Sequence, residues 1–316
     1  MVEELKQRIK QDLPELDIVI GWTQGYDALH VTPYFMQSPE DVDSLVYNPL
    51  CVHNLATYLP QLKGKKVGLL VKGCDSRSVV ELIQEKLIER ENLTIYGIPC
   101  TGIVDLSKLQ ARVPDWARVS HVDCNDSQIE ISTRENSYSL QMRELLPRKC
   151  QVCNYPNPVE KDYLFGQEVD VAAEQDSYFD LEELFSKTLQ ERMQYWQGQM
   201  ERCLRCYACR NACPMCVCKD HCIAETRDPH WMTQETNVKQ KFMFQLIHAM
   251  HLAGRCTECG ECERACPMDI PVLTFKRQLN KEIKDLFEYE AGVDMHALPP
   301  ILTYQVEEKN IKEKEW

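Results

Sequence analysis

Apolar positions over residues 1–165 change period several times, and each change marks an element. Residues 1–13 repeat at helical spacing and predict an amphipathic helix. Residues 17–20 predict a short strand closed by Gly21, and residues 29–35 an extended segment broken by Pro33. Ser38 is a cap with Pro39 at the first helical position, and residues 52–59 are again helical. The clearest unit follows. Residues 65–71 form a continuous apolar run that predicts a buried strand. Residues 76–89 predict a helix with Val79, Val80, Ile83 and Leu87 on one side, and residues 93–98 a second strand. Strand, helix and strand with short links predict a parallel, right-handed crossover. From Arg118 the period falls to two. Residues 118–123, 128–132 and 138–142 alternate between polar turns such as Asn125-Asp126, which predicts an antiparallel meander.

The second half is helical. Asn154-Tyr-Pro-Asn-Pro158 breaks the chain, and the acidic stretch to about Asp180 predicts a linker. Residues 180–200 predict one amphipathic helix with Leu184, Leu189, Met193, Trp196 and Met200 inward. Residues 237–252 carry Phe242, Met243, Leu246, Ile247 and Met250 at helical spacing. Leu273, Phe275, Leu279, Ile283 and Leu286 mark a closing helix. Residues 291–316 predict a tail that docks on a surface, folds back or stays loose. The expected fold class is α+β. A mixed α/β domain over residues 1–165, with a βαβ unit and a β-meander, leads through a linker and connecting helix (166–198) to an all-α domain (199–290) and the tail (291–316).

Composition narrows the function. At 316 residues with 44% apolar content the chain has room for two packed domains. The first residues, Met1-Val-Glu-Glu-Leu-Lys-Gln-Arg, are charged, and no apolar run approaches the roughly 20 residues needed to span a bilayer. The expected setting is therefore cytoplasmic, where thiols stay reduced and bind metal. A net charge of −13 argues against nucleic acid and against direct membrane binding.

Seventeen cysteines are far above ordinary usage, and eight of them form a duplicated motif. Cys203, Cys206, Cys209 and Cys213 precede Pro214; Cys256, Cys259, Cys262 and Cys266 precede Pro267. Both runs read C-x2-C-x2-C-x3-C-P, the spacing that holds 4Fe-4S clusters in pairs. Three thiolates of a tight loop reach one cluster, while the fourth is expected to start a helix that points away and so reaches the other cluster. Cys203, Cys206, Cys209 and Cys266 are thus assigned to one cluster, and Cys256, Cys259, Cys262 and Cys213 to the second. Zinc also takes four thiolates, but two complete signatures favour iron–sulfur. A helix as long as residues 237–252 does not fit between the motifs of a compact βαβ ferredoxin, so an all-α dicluster ferredoxin is expected.

The remaining cysteines are scattered. Cys74 and Cys100 follow the two strands of the crossover, where ligands of open α/β sheets gather, and Cys150-x2-Cys153 closes the meander. These four are candidate ligands of a third 4Fe-4S cluster. The alternative is that Cys74 and Cys100 are buried apolar residues and that Cys150 and Cys153 bind zinc or nothing. Cys51 is a candidate substitute, and Cys124 reads as structural. Cys216, Cys218 and Cys222, with His221, follow the first motif closely: they are a metal set, competitors of Cys213, part of an extra cluster, or spare thiols. Asp75 and Arg77 flank Cys74; Arg77 suits a flavin phosphate or a partner carboxylate as well as a structural ion pair. Lys72 and Lys149 could offset cluster charge, but are expected as solvated surface residues. His53, His248 and His251 read as packed or exposed rather than as ligands.

Cys74-Asp-Ser-Arg77, Ile98-Pro-Cys-Thr-Gly102 and Cys150-x2-Cys153, in that order over about residues 45–165, resemble the beta subunits of coenzyme F-420 (deazaflavin) hydrogenases and dehydrogenases. The C-terminal part is similar to the dicluster modules of heterodisulfide-reductase-type and fumarate-reductase-type iron–sulfur subunits. The resemblance implies an electron-transferring subunit of an anaerobic oxidoreductase of hydrogenase, formate dehydrogenase or heterodisulfide reductase type, working with other redox subunits. It also implies a cluster in the N-terminal domain, with FAD beside it in deazaflavin-reducing members. Two departures stand out: the short beta subunits lack the dicluster module, and Gly64, Gly68 and Gly73 do not form a G-x-G-x-x-G fingerprint. Two functions follow, a single-electron relay or a flavin-bearing catalytic subunit that exchanges hydride with a deazaflavin or NAD(P). No acid–base pair or nucleophile stands out, so no catalytic residue is assigned. A zinc scaffold is a third reading.

Overall fold

The computed structural model describes residues 1–125, 127–171, 178–218, 221–225, 232–304 and 306. Its strands are β1 (Ile18–Gln24), β2 (Val31–Met36), β3 (Val67–Val71), β4 (Leu93–Gly97), β5 (Val119–Cys124), β6 (Gln128–Thr133), β7 (Ser137–Gln141) and β8 (Tyr163–Leu164). Five of them form one sheet in the order β2-β1-β3-β4-β8; β1 and β2 are antiparallel and the other neighbours parallel. The meander β5-β6-β7 is a separate antiparallel sheet. All five residues of β3 are buried, as a central parallel strand with both faces covered requires.

The crossover helix Gly73–Gln84 joins β3 to β4 and begins three residues before the apolar periodicity does. Asp75 sets that start: its carboxylate accepts from the Lys72 backbone N–H at 3.1 Å and pairs with the Lys72 ammonium at 2.8 Å. Polar residues of this helix, Ser76, Arg77, Ser78 and Glu81, are buried together with Val79 and Val80. One side packs on the sheet, and the other is covered by the cysteine-rich half. Ser78 Oγ and Thr257 Oγ1 lie 2.9 Å apart, and Arg255 forms a two-pronged ion pair with Glu85.

The cysteine-rich half packs the helices Leu189–Arg202, Val238–Met250 and Leu273–Phe287 around the two motifs. Trp196 stacks on Phe275 at 3.8 Å. The single helix expected over 180–200 is two, Phe179–Phe185 and Leu189–Arg202. Thr188 starts the second with a capping box: its hydroxyl accepts from Glu191 N–H at 3.3 Å and its own N–H donates to the Glu191 carboxylate at 2.7 Å. Leu189 and Met193, expected inward, are exposed, and the buried stripe starts only at Trp196. The Val238–Met250 helix is also turned from its expected face. It buries Phe244, Gln245, His248 and Ala249 while Met243, Leu246 and Met250 face outward. Its inner neighbours are thiols as well as hydrocarbon: Gln245 Nε2 donates to Cys209 Sγ at 3.7 Å.

The first part of the tail folds back. Tyr289 donates to Glu81 at 3.2 Å, Arg77 to the Ala291 carbonyl at 2.7 Å, and Gln84 to the carbonyls of Asp294 and Ala297. Gly292 is required there: it has φ +71°, and a Cβ would sit 2.2 Å from the Arg77 carbonyl oxygen. Leu298, Ile301, Leu302 and Tyr304 are exposed, and the last ten residues, like residues 172–177 of the linker, lie outside the described residues. No helix among the described residues is long and apolar enough to cross a membrane.

Candidate metal centres

The duplicated motif folds into a duplicated loop. The second residue after the first cysteine is left-handed in both, Arg205 (φ 50°) and Glu258 (φ 57°), and so is the fourth, Tyr207 (φ 62°) and Gly260 (φ 70°). Non-glycine residues rarely adopt this conformation, which costs roughly 1–2 kcal/mol each. Its repetition follows from winding three cysteines round one centre. A short helix follows each loop, Ala208–Asn211 and Glu261–Arg264. Cys203, Cys206, Cys209 and Cys266 line one small cavity of about 20 Å³. Cys213, from the end of the first motif, is an electrostatic neighbour of Cys256, Cys259 and Cys262. Space therefore groups the eight thiols as three plus one, twice.

Lys276 lies between the two groups. It is 2% exposed, and its ammonium donates to the Val272 carbonyl at 3.5 Å. Burial alone would lower its pKa, but the thiolates of Cys262, Cys256, Cys213 and Cys209 outweigh it and hold the pKa above the ordinary value. A cation buried among thiols fits a centre that carries net negative charge.

Cys74, Cys100, Cys150 and Cys153 line one cavity of about 260 Å³. Cys74 is on the first turn of the Gly73–Gln84 helix, Cys100 follows β4, and the other two come from the Arg148–Gln151 helix and the turn after it. Gly73 lets these parts meet, since a Cβ there would lie 1.8 Å from the Tyr155 carbonyl oxygen. Burial raises all four thiol pKa values, Cys100 to about 11, so occupation of the cavity by metal would release protons. Four thiols on one compact cavity suit a cluster or a thiolate-bound ion.

Other candidates are placed as follows. Cys51 is buried away from this cavity, its thiol donating to the Val46 carbonyl at 3.8 Å. Cys124 ends β5. Asp75 is fully buried and held by Lys72. Arg77 lines the cysteine cavity but is engaged by the Ala291 carbonyl, by Glu290 at 3.4 Å and by the Tyr155 ring.

The two lysines expected on the surface are largely withdrawn from solvent, Lys72 buried and the Lys149 side chain 9% exposed. Lys72 is 2% exposed, pairs with Asp75, donates to the His53 carbonyl at 3.0 Å and lies over the Trp22 ring. Lys149 comes from beside Cys150 but donates to the Cys259 carbonyl, with Glu261 4.0 Å away. Lys72 is buried inside the N-terminal half, whereas Lys149 belongs to the seam between the halves, which apolar periodicity cannot reveal. One signal was present: where the first loop carries Tyr207 the second carries Gly260. A Cβ at 260 would meet Lys149 Cδ at 2.4 Å.

The family profile of the 4Fe-4S dicluster domain matches residues 199–270. Over 92% of its length the chain is 23% identical to the F420-dependent formate dehydrogenase subunit beta of Methanocaldococcus jannaschii, covering 90% of that protein. It is 25% identical to the F420-dependent formate dehydrogenase 1 subunit beta of Methanococcus maripaludis, over 91% of this chain and 89% of that one. A chain of the solved F420-reducing NiFe hydrogenase complex from Methanosarcina barkeri superposes with a TM-score of 0.39 at 17% identity, over 48% of this chain and 59% of that chain.

Proposed function

We propose, from a chain that is similar over 91–92% of its length to F420-dependent formate dehydrogenase beta subunits and matches the 4Fe-4S dicluster domain at residues 199–270, that the protein is the iron–sulfur electron-transfer subunit of a formate-dehydrogenase-type complex. One observation carries the relay: the order of the three thiol groups. Cys153 of the first group and Cys206 of the last are exposed, whereas no thiol of the middle group is: Cys256, Cys259 and Cys262 are buried and Cys213 is half-buried. A conductor needs reachable ends and an insulated middle. Cys74, Cys100, Cys150 and Cys153 would hold the first 4Fe-4S cluster, Cys256, Cys259, Cys262 and Cys213 the second, and Cys203, Cys206, Cys209 and Cys266 the third. When bound, the clusters supply one-electron chemistry. The protein's part is to hold the thiolates, exclude water from the middle and balance charge. Leu204, beside the last group and 61% exposed, offers an apolar contact to a partner subunit. The setting is cytoplasmic.

The engagement of Arg77, the side chain suited to a flavin phosphate, favours this relay over the flavin-bearing alternative: it already serves the chain's own Ala291 carbonyl and Glu290 carboxylate. The test is composition under anaerobic purification. About twelve iron and twelve sulfide per chain, four of each per cluster, with no flavin after acid release and with other redox subunits bound, are expected. Stoichiometric FAD would overturn the relay in favour of the hydride-exchanging subunit, and zinc without labile sulfide would overturn both.

A further inference from the structure

Cys216, Cys218 and Cys222 are left over by the three clusters. They form C-x-C-x3-C directly after Cys213-Pro214-Met215 and line a separate cavity of about 620 Å³. The same cavity is lined by His248, from the inner face of the Val238–Met250 helix. His248 is 3% exposed, and neither ring nitrogen has a hydrogen-bond partner among the described residues. Phe244 stacks on the ring at 5.9 Å, which fixes its plane and satisfies neither nitrogen. Buried polar atoms without partners are costly, and a native site that keeps them calls for an explanation.

The donor atoms supply one. Sγ of Cys213, Sγ of Cys216 and a ring nitrogen of His248 lie within 4.8 Å of one another. A tetrahedral zinc holds sulfur at about 2.3 Å and nitrogen at about 2.0 Å, which puts donor atoms roughly 3.5–4 Å apart. That spacing is near a single ion's. Cys213 is taken by the middle cluster in the reading above. Cys222 is the next thiol: it is half-buried in the same cavity, and Arg210, which hydrogen-bonds it, also faces Cys216. Arg210 is itself anchored by Glu225 at 2.9 Å and by the Cys218 carbonyl at 2.9 Å, which ties Cys218, Cys222 and Glu225 together beside the cavity. We infer that Cys216 and His248, already at a single ion's spacing, hold one thiophilic divalent ion, zinc or ferrous iron, and that Cys222 and Cys218, which line the same cavity, draw in to close the tetrahedron in place of Cys213. A Cys3His set of this kind is a closed, structural site, and soft thiolates exclude magnesium and calcium. The ion would pin the segment after the first motif beside the middle cluster.

The full-length chain, purified anaerobically, is assayed for zinc, iron and acid-labile sulfide beside His248→Gln and Cys222→Ser. Wild type should carry about one zinc, or about one iron beyond the labile sulfide, per chain. Each variant should lose that ion with sulfide unchanged. Protein made in cobalt-supplemented medium should show thiolate-to-cobalt absorption in wild type and lose it in the variants. Cys213→Ala separates this from the cluster assignment: sulfide falls and the extra ion stays. Iron equal to sulfide with no zinc in wild type, or an extra ion retained in both variants, overturns the site. Should His248→Gln lose sulfide through misfolding, Cys222→Ser, at a half-buried position, decides the question.

Discussion

Replacing Lys276 by Met tests whether its buried charge sets the potentials of the dicluster module. Methionine keeps the length and the apolar stem and removes the cation. The neighbours of Lys276 are the thiolates of Cys262, Cys256, Cys213 and Cys209, drawn from both groups, so both clusters should respond. A unit charge roughly 7 Å from a centre, at an effective dielectric of about 20, interacts with it by about 2.4 kcal/mol. For a one-electron couple about 1.4 kcal/mol corresponds to 59 mV, which puts the expected fall near 100 mV. The sign follows because reduction adds negative charge that the lysine stabilises. Burial leaves solvent little room to screen the effect, and the raised pKa keeps the charge on across pH 6–9, so the shift should not vary with pH in that window. The assay is an anaerobic redox titration followed by electron paramagnetic resonance, on samples whose iron and sulfide match wild type. Lys276→Arg keeps the charge and should stay much closer to wild type. A shift below about 20 mV in Lys276→Met with intact clusters, or an equal fall in Lys276→Arg, would refute the electrostatic account.

Cys266→Ala should remove the spectroscopic signature of the cluster on Cys203, Cys206 and Cys209 rather than that of its own motif; an intact signature there would sink the crossed assignment. Gly260→Ala places a Cβ 2.4 Å from Lys149 Cδ, and it should disturb the cluster signal of the Cys74 group and lower the melting temperature, whereas the corresponding loop position, Tyr207→Ala, should leave the Cys74 group untouched. Glu81 is pushed up to about 8 by burial and then by Glu85. Because its folded pKa is raised, its contribution to stability is full below the unfolded value near 4.5 and is lost as pH rises through 8; Glu81→Gln should therefore stabilise the protein more at pH 9 than at pH 6 in thermal melts, and an equal effect at both pH values would contradict this.

The dicluster module was legible because its information is local. Spacing alone brings three thiols of each motif together, and the fourth of each arrives through a short helix. The βαβ unit was legible for a similar reason, since residues 65–71 are apolar without a break and the links are short. What escaped lies at the seam between the halves. Ser78, Arg77 and Glu81 look like the solvent face of the crossover helix, yet they meet Thr257, Ala291 and Tyr289. Periodicity reports that a position is polar; it does not report that another polar group will cover it. The β8 strand is two residues long and adds to the sheet edge only after the whole meander has intervened, so nothing near it in sequence marks it. The Val238–Met250 helix was read on the face with the most hydrocarbon, whereas its buried face includes Gln245 and His248 beside sulfur.

Lys276 and Lys149 supply a physical reason why three cysteine groups, if each is loaded with an anionic cluster, could stand in one small protein. Negative groups brought together in a low-dielectric interior raise one another's energy, as two carboxylates do when they must share a proton. Wide spacing would relieve this but would also stop tunnelling. The alternative is a fixed cation in each gap. Lys276 faces Cys209 on one side and Cys256 and Cys262 on the other. Lys149 faces Cys74 and Cys150 on one side and Cys259 on the other. Lys276 is buried and the Lys149 side chain is 9% exposed, so each would be a liability without the anions beside it. Anions and cations are thus mutually dependent: burial alone would discharge each lysine, the thiolates around it outweigh that cost, and loading the cysteine groups would fix those thiolates in their charged form. The seam between the halves should therefore tighten as the cysteine groups are loaded, with hydrogen exchange slowing around residues 147–152 and 256–261. The same slowing in a Lys149→Met chain would separate ordinary metal-induced folding from the charge coupling argued here.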